Sequence, residues 1–380
     1  MRGAERRFAL FILVAFLAVD AAIVAAAIAT WSALDADFFG IWSTAKFLQS
    51  HPAPDVYDVA RLGAFQHGLR PRFTAVYPAP YSPVFLLAIR PLAWMPYSWA
   101  HLAWVGVTFG AFVWASAAAL RRRDLAMVML AAPVIVLNMV YGQTGFLTAA
   151  LMIGFLSRMG AHPWLAGLCL AMLAFKPQLG LLMPIVLLAR GDWKTFTTTV
   201  VWLTGLIALS SFVLGWSIWP DWFATLAGHG ELITASRAQL IGIMATVTSA
   251  VLSLGGDPQL ARIIQLIVAA VIAGVVWIAW RRQERELAAI ATMVGTFLVT
   301  PYAFVYDTPV AMCAALLFLR HCGDRPGSFS GLELGAVVFV LFAPLFILAA
   351  TPQPPAAPIS LLVLFVVVAR RVFAPNPARV

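Results

Sequence analysis

Phe8-Ala-Leu-Phe-Ile-Leu-Val-Ala-Phe16 begins a run that stays apolar to Trp31, and Asp35-Ala-Asp37-Phe38-Phe39-Gly40-Ile41-Trp42 follows it. At about 1.5 Å per residue such a run crosses the roughly 30 Å hydrocarbon core of a bilayer as one helix. Two carboxylates at the mouth of that core are costly unless something uses them. A mixed, partly polar stretch follows before long apolar runs return, so the acids sit where a membrane protein can do chemistry at one face.

Working outward, the rest of the chain has the same character. Of 380 residues, 62% are hydrophobic and 11% charged, and the mean hydropathy is +0.90. Soluble domains carry about 25% charged residues. The apolar runs are long and continuous rather than alternating, which excludes a membrane β-barrel. The fold class is therefore an all-α polytopic membrane protein, expected as one membrane domain over residues 1–380. The net charge of +9 is not a nucleic-acid signal. Its carriers stand in clusters between apolar runs, at Arg6-Arg7, Arg121-Arg122-Arg123, Arg281-Arg282 and Arg370-Arg371, as positive-inside punctuation. Cys169, Cys313 and Cys322 suit neither a disulfide nor a metal site. Met1 to Trp31 reads as an uncleaved first helix rather than a signal peptide, because its apolar run is too long.

Placing the basic clusters in the cytoplasm gives about twelve crossings with both ends inside, and most of the 25 Lys and Arg then fall inside. Crossings are expected over 8–31, 97–120, 125–141, 145–159, 164–175, 179–189, 196–216, 260–280, 287–300, 309–319, 334–350 and 359–369. Several are shorter than the roughly 20 residues of a full span, which suggests helices that stop at mid-depth around a wet cavity. Val84 to Trp94, broken by Pro83, Pro91 and Pro96, reads as a partly inserted helix. Two outer segments are long. Residues 32–96 should form an amphipathic helix, a turn, a second helix and a Pro-rich return, and 217–257 should lie at headgroup level.

The polar residues at the outer breaks are the candidate site. Asp37 reads as a general base for a sugar hydroxyl, or as a cap for the helix beginning at Phe38. Asp35, Asp55 and Asp58 read as caps, although Tyr57 and Asp58 also flank the place where a sugar or acceptor would bind. Lys176, before Pro177 and Gln178, reads as a point charge for a lipid phosphate, or as a side chain snorkelling to the interface. His229 and Arg237 are further candidate cations on the second outer segment. Tyr141-Gly-Gln143-Thr144 and Tyr302 to Asp307 are tight breaks. Their Tyr141, Gln143, Tyr302 and Asp307, with Gln178, are candidates for sugar or acceptor contacts. Asp307 needs a partner if buried, and Arg237 or Lys176 would serve.

Asp37-Phe38 with Trp42, Tyr57-Asp58, Tyr77-Pro-Ala-Pro, Arg90-Pro-Leu-Ala-Trp-Met-Pro96, Tyr141-Gly-Gln, Ala166-Gly-Leu and Phe175-Lys-Pro occur in an order that resembles glycosyltransferase family 87, chiefly over residues 33–194. That family is of the polyprenyl-phosphate-mannose-dependent type. The resemblance implies a GT-C type fold, a lipid-linked donor, an outer-face active site and inversion at the anomeric carbon. It implies a carboxylate base in the first outer segment, a place that Asp37 fits. The expected partners are a polyprenyl-phosphate sugar, a lipid or glycan acceptor and membrane lipids. No cofactor, metal or nucleic acid is expected, and the location is the cytoplasmic (inner) membrane. The residues themselves keep two alternatives open. One is a transporter or flippase, motivated by Asp20 and Asp307 in broken helices; the other is a non-catalytic assembly subunit.

Overall fold

The computed structural model describes residues 2–29, 36–71, 76–235, 240–282, 284–323, 330–348 and 354–374, and they are overwhelmingly helical. Helix α1 (Arg2–Ala29) is followed by α2 (Ala36–Ser50), α3 (Val59–Leu69) and α4 (Pro83–Ile89). Next come α5 (Tyr97–Leu120), α6 (Arg123–Leu130), α7 (Pro133–Tyr141), α8 (Gly145–Arg158) and α9 (Pro163–Leu173). Then α10 (Met183–Arg190), α11 (Trp193–Leu214), α12 (Ile218–Ala235), α13 (Val247–Ser253) and α14 (Pro258–Arg281). The chain closes with α15 (Arg285–Val299), α16 (Pro309–Gly323), α17 (Gly331–Phe342) and α18 (Ala356–Phe373).

Local chemistry sets many of these boundaries. Proline stands in the first turn of α4, α7, α9 and α14, where its missing N–H costs nothing. Asp58, Asp192 and Asp257 cap α3, α11 and α14 by accepting from backbone amides, and Ser330 with Glu333 forms a capping box on α17. The described part of residues 32–96 runs through α2, a 3-10 turn over Ala53–Tyr57, α3, then an irregular return through Tyr77-Pro-Ala-Pro.

Among the described residues, α5, α11, α14 and α18 are long and apolar enough to cross a membrane. A fifth span results if α6 and α7 count as one. That pair corrects the expected continuous crossing over 125–141. It bends by 51° at the break before Pro133, whose ring cannot continue the preceding helix. Residues 177–190 are likewise divided, into a 3-10 turn and α10. Of the roughly twelve expected crossings, several of them short, the described residues show four or five helices of full spanning length together with shorter apolar ones.

The short helices are central. Most residues of α8, α15 and α16 are buried, whereas α11 turns Phe212 (88% exposed) and Leu209 outward. A long apolar helix with an apolar outer face is suited to lipid contact. Helices α8 and α16 pack on α5 and on each other, while α15 packs on α14, α16 and α18.

Several basic side chains gather at one end of this bundle. Arg320 Nη1 donates to the carbonyls of Ala119 and Leu120 at 2.6 Å each, closing the C-terminus of α5. Arg320 and His321 both pair with Glu286 at the start of α15. Arg282 Nη1 donates to Val372 O at 2.8 Å, Arg371 pairs with Glu333, and Arg190 lies over the Trp280 ring. These groups belong to α5, α10, α15, α16, α17 and α18 and to the C-terminal end of α14, and the N-termini of α8 and α16 lie at the opposite end.

Candidate active site

At that opposite end four chain breaks converge: the start of α2, the turn between α7 and α8, the turn after α9, and the turn between α15 and α16. The α7–α8 turn organises the others. Gly142 ends α7 with φ of 61°, a left-handed conformation that glycine adopts without a Cβ clash. A Cβ there would stand 2.7 Å from Phe38 Cβ. Phe38 is fully buried and stacks on His101 at 4.8 Å between centroids. His101 Nε2 lies 3.0 Å from Met139 O, and Trp104 Nε1 donates to Gly142 O at 2.9 Å. Phe38 thus anchors the N-terminus of α2 against the turn and leaves Asp37 beside Gln143.

Asp37 is half-buried, and Gln143 hydrogen-bonds its carboxylate. Burial raises its pKa above the ordinary carboxylate value of 3.8, and the Gln143 bond pulls it part of the way back. The Asp37 charge acts on the phenols of Tyr77, Tyr81, Tyr141 and Tyr306. The Asp307 charge acts on Tyr81, Tyr302 and Tyr306, so both acids border one cluster of phenols. Tyr57 donates to Tyr81 O at 2.8 Å, and Tyr97 packs 5.4 Å from Phe38.

Lys176 lies just past the end of α9. Its Nζ donates to Asp307 Oδ1 at 2.8 Å and Oδ2 at 3.0 Å, and it stands 4.8 Å above the Tyr306 ring centre. The pair is almost fully enclosed, at 6% and 1% exposure. Of the two partners expected for Asp307, the structure supplies Lys176. The Lys176 charge is thus matched before any ligand arrives. Two carboxylate contacts engage at most two of its three ammonium donors. Gln178 follows in the 3-10 turn Pro177–Gly180 and is half-buried.

The 300–308 turn is fixed from two sides. Asn138 Nδ2 donates to Tyr306 O at 2.9 Å, and Gly145 packs so closely that a Cβ would lie 1.9 Å from the same oxygen. On the other side Ala245 N donates to Ala303 O at 2.9 Å, which stitches the segment between α12 and α13 to this turn. Gln265 of α14 accepts from Thr248 N and Oγ1 and donates to the carbonyls of Leu298 and Val299.

Other expected site residues do different work at the atoms described. Asp58 accepts from Ala60 N and Arg61 N as the cap of α3. Tyr57 commits its hydroxyl to the backbone. The side chain of His229 and all of Arg237 and Asp35 lie outside the described residues. Asp20 is buried in α1, which packs on α6 and α7, and its Oδ1 has no hydrogen-bond partner among the described residues. Sequence reasoning missed Tyr81, Tyr306, Asn138 and His101. Tyr306 stood inside a quoted break and Asn138 was a polar residue in an apolar run, whereas His101 gave no local signal.

Residues 79–301, more than half of the chain, match glycosyltransferase family 87. The chain belongs to this family. No curated protein and no solved structure matches it. The protein is thus a membrane glycosyltransferase by family and by its apolar helices. The matched stretch carries Tyr81, Gln143, Lys176 and Gln178. It begins after Asp37, later than the resemblance over 33–194 led us to expect, and it runs on across the second outer segment. Asp307 lies just beyond its end.

Proposed function

We propose that this protein transfers a hexose, mannose by its family resemblance, from a polyprenyl-phosphate donor to a lipid or glycan acceptor at the outer face of the cytoplasmic membrane. The observation that carries the reading is Asp37. Its carboxylate is partly open, poorly solvated, held by Gln143 and ringed by phenols, in a hollow at the end of the bundle away from the basic clusters.

Asp37 takes the proton of an acceptor hydroxyl as that oxygen attacks the anomeric carbon. The new C–O bond forms as the bond from that carbon to the phosphate oxygen breaks, with inversion. The polyprenyl monophosphate leaves with one more negative charge than it had in the donor. Asp37 then returns its proton to water. A raised pKa suits a base that must take a proton and later release it near neutral pH. The remaining ammonium donor of Lys176 supports the developing phosphate charge without adding net charge to the hollow. The tyrosines offer hydroxyls and ring faces, which suit a sugar.

Depth supports a lipid-borne donor. Trp104 is seven positions along α5 from Tyr97, so the turn it holds lies about 10 Å below the start of that helix. Helix α8, with 14 residues, is about 21 Å long against the roughly 30 Å hydrocarbon core. A hollow recessed to that level receives a phosphate already attached to a membrane lipid.

Asp37→Asn tests the proposal. The amide keeps the shape and an acceptor for Gln143 but cannot take the proton, and a lost general base costs about 10²–10⁴-fold in rate. The full-length protein in vesicles, given polyprenyl-phosphate mannose, should show that loss. Transfer at near wild-type rate by the variant would remove Asp37 from the chemistry.

A further inference from the structure

The end of the bundle away from the hollow holds two arginines in an unusual setting. Arg190 closes α10, and Gly191 ends that helix with φ of 65°. The Arg190 guanidinium lies 5.5 Å from the centre of the Trp280 ring, which is buried and donates to Thr292 Oγ1 at 3.0 Å. Gly160, with φ of 81°, leaves room for the same arginine: a Cβ there would lie 2.6 Å from Arg190 Nη2. Arg285, exposed at the start of α15, is close enough for its charge to act on Arg190. Asp192 also acts on Arg190, but its oxygens accept from Thr195 N and Thr195 Oγ1 as the cap of α11. Glu286 is taken up by Arg320 and His321. Among the described residues neither Arg190 nor Arg285 has an ion pair or a side-chain hydrogen bond.

The surface beside this pair is apolar. Helix α10 has eight residues, about 12 Å, and packs on α11 and α14, both long enough to span a membrane. Leu181 and Leu188 of the short segment are 49% and 47% exposed, so they lie on the lipid-facing surface of the bundle. Trp193, exposed at the first residue of α11, marks headgroup level.

From these residues we infer that Arg190 and Arg285 bind the phosphate of an anionic phospholipid whose acyl chains lie along α10. A ring against the face of a guanidinium fixes its plane and uses none of its five N–H donors. That planar fork matches phosphate oxygens, and a second guanidinium beside it adds charge. An anion placed between two like charges also relieves their repulsion. The positive-inside rule accounts for an excess of basic residues at one end of a bundle. It requires neither a stack on a buried tryptophan nor a glycine that makes room for the guanidinium. The site is remote from Asp37, so it does not depend on the proposed reaction.

The experiment uses the full-length protein in neutral detergent. Dioleoyl phosphatidylglycerol or dioleoyl phosphatidylcholine is titrated in, and bound lipid is counted by native mass spectrometry. Arg190→Gln, Arg190→Lys and Arg285→Gln are compared with wild type, and thermal melting confirms folding. Arg123→Gln, which removes an exposed cation elsewhere, is the control for charge alone.

Wild type should bind one phosphatidylglycerol at least tenfold more tightly than phosphatidylcholine. Arg190→Gln and Arg285→Gln should each weaken that binding about fivefold, the share of one basic residue at an anionic surface, while Arg123→Gln leaves it within twofold. Arg190→Lys keeps the charge without the fork and should recover part of the loss. Wild type without a preference for phosphatidylglycerol overturns the inference, and so does a folded Arg285→Gln that binds as Arg123→Gln does. Arg285 is exposed, so its replacement decides the matter even where Arg190→Gln fails to fold. Displacement of the lipid by glycerol phosphate at equal concentration would assign the pair to a soluble phosphate and overturn the lipid. Counting lipids needs no sugar transfer, so failure of the proposed reaction leaves this result standing.

Discussion

Replacing Gly145 by Ala should disable the enzyme while leaving most of the fold intact. The added Cβ would stand 1.9 Å from Tyr306 O and 2.5 Å from Asn138 Oδ1. Ordinary contact begins at 3.4 Å, so the carbonyl must retreat by about 1.5 Å, 3.4 minus 1.9, in a close-packed interior. Tyr306 is covalently next to Asp307, and Asp307 holds Lys176, so the displacement passes directly into the hollow. A misplacement of about 1 Å in a reacting constellation costs about 10²-fold in rate. Retreat also stretches the Asn138–Tyr306 bond, worth about 0.5–1.5 kcal/mol, and overpacking adds about 1–3 kcal/mol. Sugar transfer in vesicles and thermal melting in detergent give the two readouts. The matched control is Gly274→Ala on α14, where no atom lies within 4 Å of the new Cβ. That change should leave transfer untouched and melting equal or slightly higher. Wild-type transfer by Gly145→Ala, with an unshifted melt, would refute the claim that this contact sets the 300–308 turn.

Three further outcomes follow from the same geometry. Because Asp37 must be deprotonated to act and burial raises its pKa, the rate should climb with pH through a value above 3.8 and level off above it; the pH profile of kcat/KM in wild type checks this, and Asp37→Asn should remove that limb. Lys176→Met or Asp307→Leu alone should destabilise by about 3–5 kcal/mol, while the double replacement should recover most of the melting temperature but not the transfer rate, which a double-mutant cycle reads out. Gln265→Leu should lower the melting temperature, since it strands the amide of Thr248 and the carbonyls of Leu298 and Val299 at about 1–3 kcal/mol for each buried group left unsatisfied.

Helix positions were the most legible part of the sequence. Tyr97 to Leu120 is read to the residue, and 260–280 and 309–319 fall inside α14 and α16. Apolar runs, prolines and basic clusters are local signals, and the membrane class makes each of them costly to misplace. The 125–141 run was misread because hydropathy is blind to the bend before Pro133. Asp37, Gln143, Lys176 and Asp307 were all singled out as polar residues at breaks in apolar runs, yet nothing local said that Lys176 would spend its charge on a residue 131 positions away. Asp58 was read both as a cap and as a sugar contact, and in the structure it caps α3.

By itself, then, the sequence determined the material of this protein: a bilayer-bound helical chain with acids and tyrosines held back from its apolar runs. Hydrophobic burial and charge placement act residue by residue, so a linear reading captures them. Only the tertiary structure decided which breaks share a hollow. The Asp37–Gln143 bond, the Lys176–Asp307 pair and the closure of Gly145 on Tyr306 each join segments far apart in the chain, and such contacts depend on how whole helices pack rather than on any local pattern.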